Sequence, residues 1–307
     1  MNRRTFAKTS LIAGISLGAG LPLLAYGQEK ISHLCILHTN DTHSRIDPYP
    51  ANDPNYPNMG GYARRAAVIS QIRQTTPHVL LLDAGDIFQG TPYFNVYGGE
   101  PELMLMTKMG YDAATMGNHE FDNGLDGFLE VLPHAGFPFV ISNYDFSATI
   151  LHGKTMPYKV MEKGDLKIGL YGLGIELEGL VGRNLYAETL YVDPVDVARR
   201  VERLLKEELG CDIIICLSHL GYEYETGKVS DVVIARKTRY TDIILGGHTH
   251  TLLDPPAKIE NAAGKKVHIG QTGYAGVRLG RMDLYFNKKN SETFVESNTT
   301  NIFNNQA

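Results

Sequence analysis

Nine short runs rich in Ile, Leu and Val, with little alternation, are spaced along the chain between helical patterns. Such runs read as strands buried on both faces, and their alternation with helices reads as an α/β domain. The strand candidates are Leu34–Leu37, Val79–Leu82, Ala113–Met116, Phe139–Ile141, Lys167–Tyr171, Ile213–Leu217, Ile243–Leu245, Val267–Ile269 and Met282–Phe286. Helical patterns cover Tyr62–Gln74, Pro101–Met109, Leu125–Leu132 and Val229–Lys237. The clearest helix lies between Asp193 and Gly210, with Asp193 as its cap, Pro194 at the first helical position and Val197, Val201, Leu204 and Leu205 on one face. A Pro-, Asn- and Asp-rich stretch from Ile46 to Met59 predicts a long surface loop.

Five of the runs lead into residues of metal-ligand type. They precede Asn40-Asp41-Thr42-His43, Gly85-Asp86, Gly117-Asn118-His119-Glu120, Ser218-His219 and Gly247-His248-Thr249-His250. Loops of an α/β sheet converge at the carboxyl ends of its strands, so separated segments can meet there. Gly85, Gly117, Gly246 and Gly247 permit tight turns at that edge. Any one segment alone is an ordinary turn; five in order, each after a strand, indicate a site.

The ligand inventory is Asp41, Asp86, Asn118, His43, His219, His248 and His250. It suits two divalent cations about 4 Å apart, an arrangement that activates water against a phosphate ester. Two carboxylates leave such a pair net positive, which attracts a phosphate. A calcium loop would carry more carboxylates and carbonyls, and a closed structural zinc site only four ligands. Mixed Asp, His and Asn ligation favours Mn, Zn, Fe, Co or Ni.

Bulk properties narrow the class. Twin arginines, Arg3 and Arg4, precede an apolar stretch from Leu11 to Ala25, and Ala25-Tyr26-Gly27 offers small residues for cleavage before Gln28. Residues 1–27 therefore read as a twin-arginine signal peptide, which predicts export to the periplasm or beyond, and the glycines and serines in the stretch disfavour a stable membrane span. Without that leader the formal net charge falls from −5 to −8, which argues against a surface that coats nucleic acid. The catalytic domain is expected over 28–287, with 288–307 as a polar tail or truncated linker. Cys35, Cys211 and Cys216 show no zinc-site spacing and are expected to be buried free thiols rather than a disulfide framework.

The chain resembles the calcineurin-like metallophosphoesterases, and within them the catalytic domain of the exported 5′-nucleotidase family. The resemblance is carried by Ile36-Leu37-His38-Thr39-Asn40-Asp41-Thr42-His43, by Asp83-Ala84-Gly85-Asp86-Ile87-Phe88-Gln89-Gly90, and by Gly117-Asn118-His119-Glu120-Phe121-Asp122. Gly246-Gly247-His248-Thr249-His250 and Gln271-Thr272-Gly273 complete it, over roughly Ile31 to Phe286. It implies a four-layer αββα sandwich, two mixed β-sheets flanked by helices, with the dimetal site at the C-terminal edge of the strands. It also implies that Asp41, His43, Asp86 and His250 hold one metal, and that Asp86, Asn118, His219 and His248 hold the other. Some members have Gln where His250 stands. His119 is implied to contact the phosphate, with Asp122 orienting its ring; Asp122 could instead cap the helix before Leu125.

The implied activity is that of a 5′-nucleotidase-like phosphomonoesterase using a dimetal-activated hydroxide. The alternatives are a cyclic-nucleotide or nucleotide-sugar phosphodiesterase, a hydrolase of sulfur-carrier conjugates, and a non-catalytic metal- or partner-binding module. Family members carry a C-terminal domain that reads the nucleoside. Its absence from this sequence leads to the expectation that a separate polypeptide supplies that half, or that the chain is a broad phosphomonoesterase.

Overall fold

The computed structural model describes residues 31–289 and 292–303. The expected signal peptide lies outside the described residues. Strand β1 is Ile31–Thr39, and its side chains alternate between two cores. Leu34 and Ile36 enter one apolar cluster and Cys35 and Leu37 another. The strand is thus buried on both faces, which is why its sequence is a continuous apolar run.

Helix α1 (Tyr62–Thr75) leads to β2 (Val79–Asp83). Helices α2 (Pro92–Tyr97) and α3 (Glu100–Met109) precede β3, which is only Ala113–Ala114. A single 3₁₀ turn, His119–Phe121, follows, and then α4 (Gly124–Val131). Phe139–Ile141, expected as a strand, makes isolated bridges to Ala114 and Met156 instead. The middle of the chain holds β4 (Tyr144–Asp145), β5 (Tyr158–Lys163), β6 (Leu166–Gly174), α5 (Arg183–Tyr186) and β7 (Leu190–Tyr191).

Helix α6 (Pro194–Arg203) starts as expected: the Asp193 carboxylate accepts from the amides of Val195 and Asp196 at 2.9 and 3.0 Å. It continues as a π-helical turn, Leu204–Glu208. After it come β8 (Ile213–His219), α7 (Asp231–Lys237), β9 (Ile243–Gly246), β10 (Ala257–Glu260), β11 (Lys266–Gly270), β12 (Arg278–Asn287) and β13 (Glu292–Asn301).

The strands form a five-stranded sheet, β13-β12-β1-β2-β3, and a six-stranded sheet, β10-β11-β9-β8-β6-β5. A small third sheet pairs β4 with β7. Both large sheets are mixed. β1, β2 and β3 are parallel, as are β6, β8, β9 and β11, with antiparallel strands outside them. Leu34, Ile36, Leu80 and Leu82 of one sheet meet Ile168, Ile213, Ile215 and Ile243 of the other in a shared core. The first sheet's other face packs against helices through Leu81, Ile69, Leu103 and Phe128. The second sheet's other face does so through Ile214, Cys216, Val197 and Ile234. The result is the expected four-layer αββα sandwich.

A second expectation fails. Glu292–Asn301, read as part of a polar tail or linker, is a full strand paired with β12 from Arg278↔Asn301 to Asn287↔Glu292. It is the sheet's edge, and only Val295 along it is buried, so it carries no apolar run. All three cysteines are buried free thiols. Burial beside Asp283 pushes the Cys35 thiol up to about 12.

Candidate metal centre

β1, β2, β3, β8 and β9 stop at one edge of the sandwich, and the candidate ligands leave from those ends. Asp41, His43, Asp86, His248 and His250 all take left-handed backbone, with φ between 48° and 72°. Each such residue costs about 1–3 kcal/mol, so five together require a surround that holds them. That surround is visible. The Asp41 amide donates to Gly85 O at 2.9 Å and the His43 amide to Asp86 O at 3.1 Å. The His248 amide donates to both Asp41 carboxylate oxygens, at 3.0 and 3.1 Å. The His119 amide donates to Asp86 Oδ1 at 2.9 Å. Gly117 fits the same crowding: a Cβ there would lie 2.2 Å from Asp86 Oδ1.

The side chains converge as three groups, each with its ligand atoms within 4.8 Å of one another: Asp41 with His43 and His250, Asp86 with His219 and His248, and His43 with Asp86 and His119. Asn118 joins the second, with Oδ1 at 3.0 Å from His248 Nδ1. His43 links the first and third, its Nε2 lying 3.0 Å from His250 Nε2. All seven expected ligands therefore meet. His119, expected beside the ligands rather than among them, is close enough to be grouped with His43 and Asp86. Its Nδ1 is turned to Asp122 Oδ2 at 2.7 Å, so the Asp122 side chain serves His119, and the position before α4 falls to Asn123.

The donor set fits divalent cations. Asp41 and Asp86 are buried at 0% and 2% exposure. Uncompensated carboxylates are costly there, and cations relieve that cost. Asp86 Oδ2 lies 3.0 Å from His219 Nε2, an ion-pair contact that holds the carboxyl below its ordinary value and, against burial, lifts the imidazole. Burial, reinforced by the His219 charge, holds His248 down to about 4, which leaves it a neutral donor. Burial also lowers His43. Several ligands have their outer atoms fixed: His219 Nδ1 by Ala84 O at 2.7 Å, His43 Nδ1 by Phe88 O at 3.3 Å, and Asp41 Oδ2 by Asn40 Nδ2 at 2.6 Å. Such supports set tautomer and ring direction at metal sites. Burial alone would lower His119, but its bond to Asp122 and the Asp86 and Asp122 charges raise it to about 9.

Sequence reasoning assigned no role to two residues that organise these loops. Glu120 is buried, and its carboxylate accepts from the amides of Asp86 (2.9 Å), Ile87 (2.8 Å) and Gly117 (2.6 Å). It ties the second motif to the third. Gln271 donates from Nε2 to Gly247 O at 2.7 Å and accepts from the Thr251 amide and the Thr249 hydroxyl, clamping the loop that carries His248 and His250. Both stand inside quoted motifs, which was the available signal.

A sandwich of this topology with such a cluster at its strand ends defines a metallophosphoesterase fold. The chain belongs to the calcineurin-like phosphoesterase family, a class of metal-dependent hydrolases, whose model matches residues 35–252. It is 33% identical to 5′-nucleotidase of Bos taurus, over 92% of this chain and 51% of that protein. Among solved structures it is similar to a 5′-nucleotidase precursor from Thermus thermophilus, with a TM-score of 0.79 and 31% identity over 88% of this chain and 55% of that one. It is also similar to the calcineurin-like phosphoesterase YfkN from Bacillus subtilis, with a TM-score of 0.72 and 28% identity over 88% of this chain and 90% of that one. The chain spans about half the length of the 5′-nucleotidases it matches. Among the described residues, no helix is long and apolar enough to cross a membrane.

Proposed function

We propose that this chain is a phosphomonoesterase acting on nucleotides with two divalent cations. Asp41, His43, Asp86 and His250 would hold one, and Asp86, Asn118, His219 and His248 the other, with Asp86 shared. The observation that carries this reading is the convergence of these seven side chains from five strand ends. When bound, the cation pair supplies a water acidic enough to be a nucleophile at neutral pH and neutralises phosphoryl oxygens. The mixed N and O donor set favours Mn, Zn, Fe, Co or Ni.

The chain's own residues do the rest. Asp122 holds Nδ1 of His119 and leaves Nε2 as the free face of the ring. A cationic His119 then stabilises charge on the phosphoryl oxygens or gives its proton to the leaving oxygen. Nucleotides are favoured as substrates because relatives 33% and 35% identical to this chain are named 5′-nucleotidases. This activity requires no separate polypeptide for the chemistry. The twin-arginine segment supports export, and cell fractionation of the tagged full chain tests it.

A substrate panel with metal analysis tests the enzymatic reading. The chain, loaded in turn with Mn, Zn or Co, is expected to bind two equivalents and to hydrolyse AMP and 4-nitrophenyl phosphate. A chain holding two ions yet inert towards both monoesters, a 2′,3′-cyclic nucleotide and a diaryl phosphate would overturn it. Preference for the last two would instead favour a diesterase.

A further inference from the structure

The rings at the candidate centre meet edge-on, with one exception. His43 crosses His250 at 72° and His119 at 77°, and His219 crosses His248 at 72°. Tyr274 lies flat on His250, with ring centroids 4.9 Å apart and planes 9° apart. His250 is also the candidate ligand that most needs support. Its side chain is 41% exposed, against 13% for His43 and none for His219. His219, His43 and His119 each have Nδ1 fixed by a carbonyl or carboxylate. Among the described residues, the polar contacts of the His250 ring are both made by Nε2, to His43 Nε2 at 3.0 Å and to Asp41 Oδ1 at 3.4 Å. Among the described residues no hydrogen bond reaches its Nδ1, and the Tyr274 face takes the place of one.

Tyr274 is itself braced. Tyr56 meets it edge-on at 5.7 Å, Tyr49 lies 5.4 Å from Tyr56, and the Arg45 guanidinium sits 4.3 Å over the Tyr49 ring. Arg45 follows His43 by two residues, so the contacts run from one ligand loop through the 46–59 loop to the other. The Tyr274 backbone is anchored to the same motif: Gly273 O accepts from Asn40 Nδ2 at 2.7 Å, and the Ala275 amide donates to Asp41 O at 2.6 Å.

We propose that Tyr274 is a positioning residue that fixes the His250 ring for metal binding by stacking, held in place by Tyr56 and Tyr49. Parallel aromatic contacts give about 0.5–1.5 kcal/mol beyond buried area, enough to select one ring orientation. The inference rests on the dinuclear reading above and adds to it a selective consequence: loss of the stack weakens one cation site and spares the other. Supports of metal-ligating histidines commonly change affinity by about 10–100-fold.

The test is calorimetric titration of the metal-free chain with Mn and with Co, together with the visible spectrum of the Co form. Tyr274→Phe keeps the stack but loses the hydroxyl bond to Tyr49, and is expected to lie much closer to wild type than Tyr274→Leu. Tyr274→Leu is expected to bind one equivalent normally and the other about tenfold or more weakly, with an altered Co spectrum. Tyr56→Ala should give a smaller change of the same kind, and it serves should Tyr274→Leu fail to fold. Two unchanged affinities in folded Tyr274→Leu, or in folded Tyr56→Ala where Tyr274→Leu does not fold, overturn the positioning role alone, as does equal weakening of both. A wild-type chain that takes up fewer than two ions overturns the dinuclear reading and this inference with it.

Discussion

Nδ1 of His119 lies 2.7 Å from Oδ2 of Asp122, three residues on in the same short turn. Both side chains are only partly exposed, at 30% and 26%, so the pair is shielded from solvent on most sides. Replacing His119 with Asn removes the group proposed to neutralise phosphoryl charge. Turnover is expected to fall by about 10²–10³-fold, the usual cost of losing one such donor. Metal stoichiometry should stay at the wild-type value. Because His119 also lies within reach of His43 and Asp86, metal analysis is the deciding measurement. Metal loss in step with activity would make it a ligand instead.

A methyl group added at Gly117 would enter the centre directly. Its Cβ would lie 2.2 Å from Asp86 Oδ1 and 2.7 Å from His219 Nε2. The Gly117 backbone is not in the left-handed region, so alanine is resisted by space alone. Gly117→Ala should therefore displace Asp86 and lower the uptake of both cations. Overpacking of this kind costs about 1–3 kcal/mol, read as a lower midpoint in urea. Full metal binding by the variant would show that Asp86 need not stand where the structure places it.

Burial on both faces decided which parts of this fold the sequence could announce. β1, β2, β8 and β9 sit inside their sheets and read as apolar runs ending on ligand residues. Of the edge strands β5, β10 and β13 only Val295 is buried, so none has an apolar run, and none was anticipated. The ligands were legible because their chemistry is specific in kind. Glu120, Gln271 and Tyr274 were not, because their work depends on which backbone amides and rings lie opposite, and that is a property of the assembled loops.

Glu120 offers a direct measure of that loop assembly. Every hydrogen bond that its carboxylate makes among the described residues is accepted from an amide, those of Asp86, Gly117, Ile87 and Phe88. Glutamine keeps one acceptor oxygen but turns an NH₂ group toward two of these amides. A buried unsatisfied pair costs about 1–3 kcal/mol for each group. Glu120→Gln should lose stability on that scale and bind cations less tightly, since the segment that carries Asp86 rests on these amides in either orientation of the new side chain. Urea unfolding with the metal removed separates the two effects, and an unchanged midpoint would refute the clamp.

Away from the centre, Asp283 predicts an acid-sensitive seam between β1 and β12. Its carboxylate accepts from His33 Nε2 at 2.8 Å and from Arg281 Nε at 2.6 Å. Burial opposes its charge, but these bonds bring it from 3.8 down to about 2. A folded value below the unfolded one contributes stability above about pH 4, lost as pH falls from there towards 2. Asp283→Asn should cost about 1–2 kcal/mol at pH 7 and much less near pH 2, after allowance for partial exposure. Equal losses at both pH values would point to packing rather than charge.

Metal removal should act on stability as well as on activity, because Asp41 and Asp86 are buried carboxylates facing the same small space. A ligand that binds only the folded chain adds about 2.7 kcal/mol at a concentration one hundred times its dissociation constant. Chelation is thus expected to lower the melting temperature, and Mn or Zn to restore it in proportion to the logarithm of concentration. Calcium should restore less, since four of the seven donors are imidazoles and calcium prefers oxygen. The comparison is made by thermal unfolding of one chelated stock. Equal restoration by calcium and manganese would mean that the stabilising ion sits on carboxylates alone, away from His219 and His248.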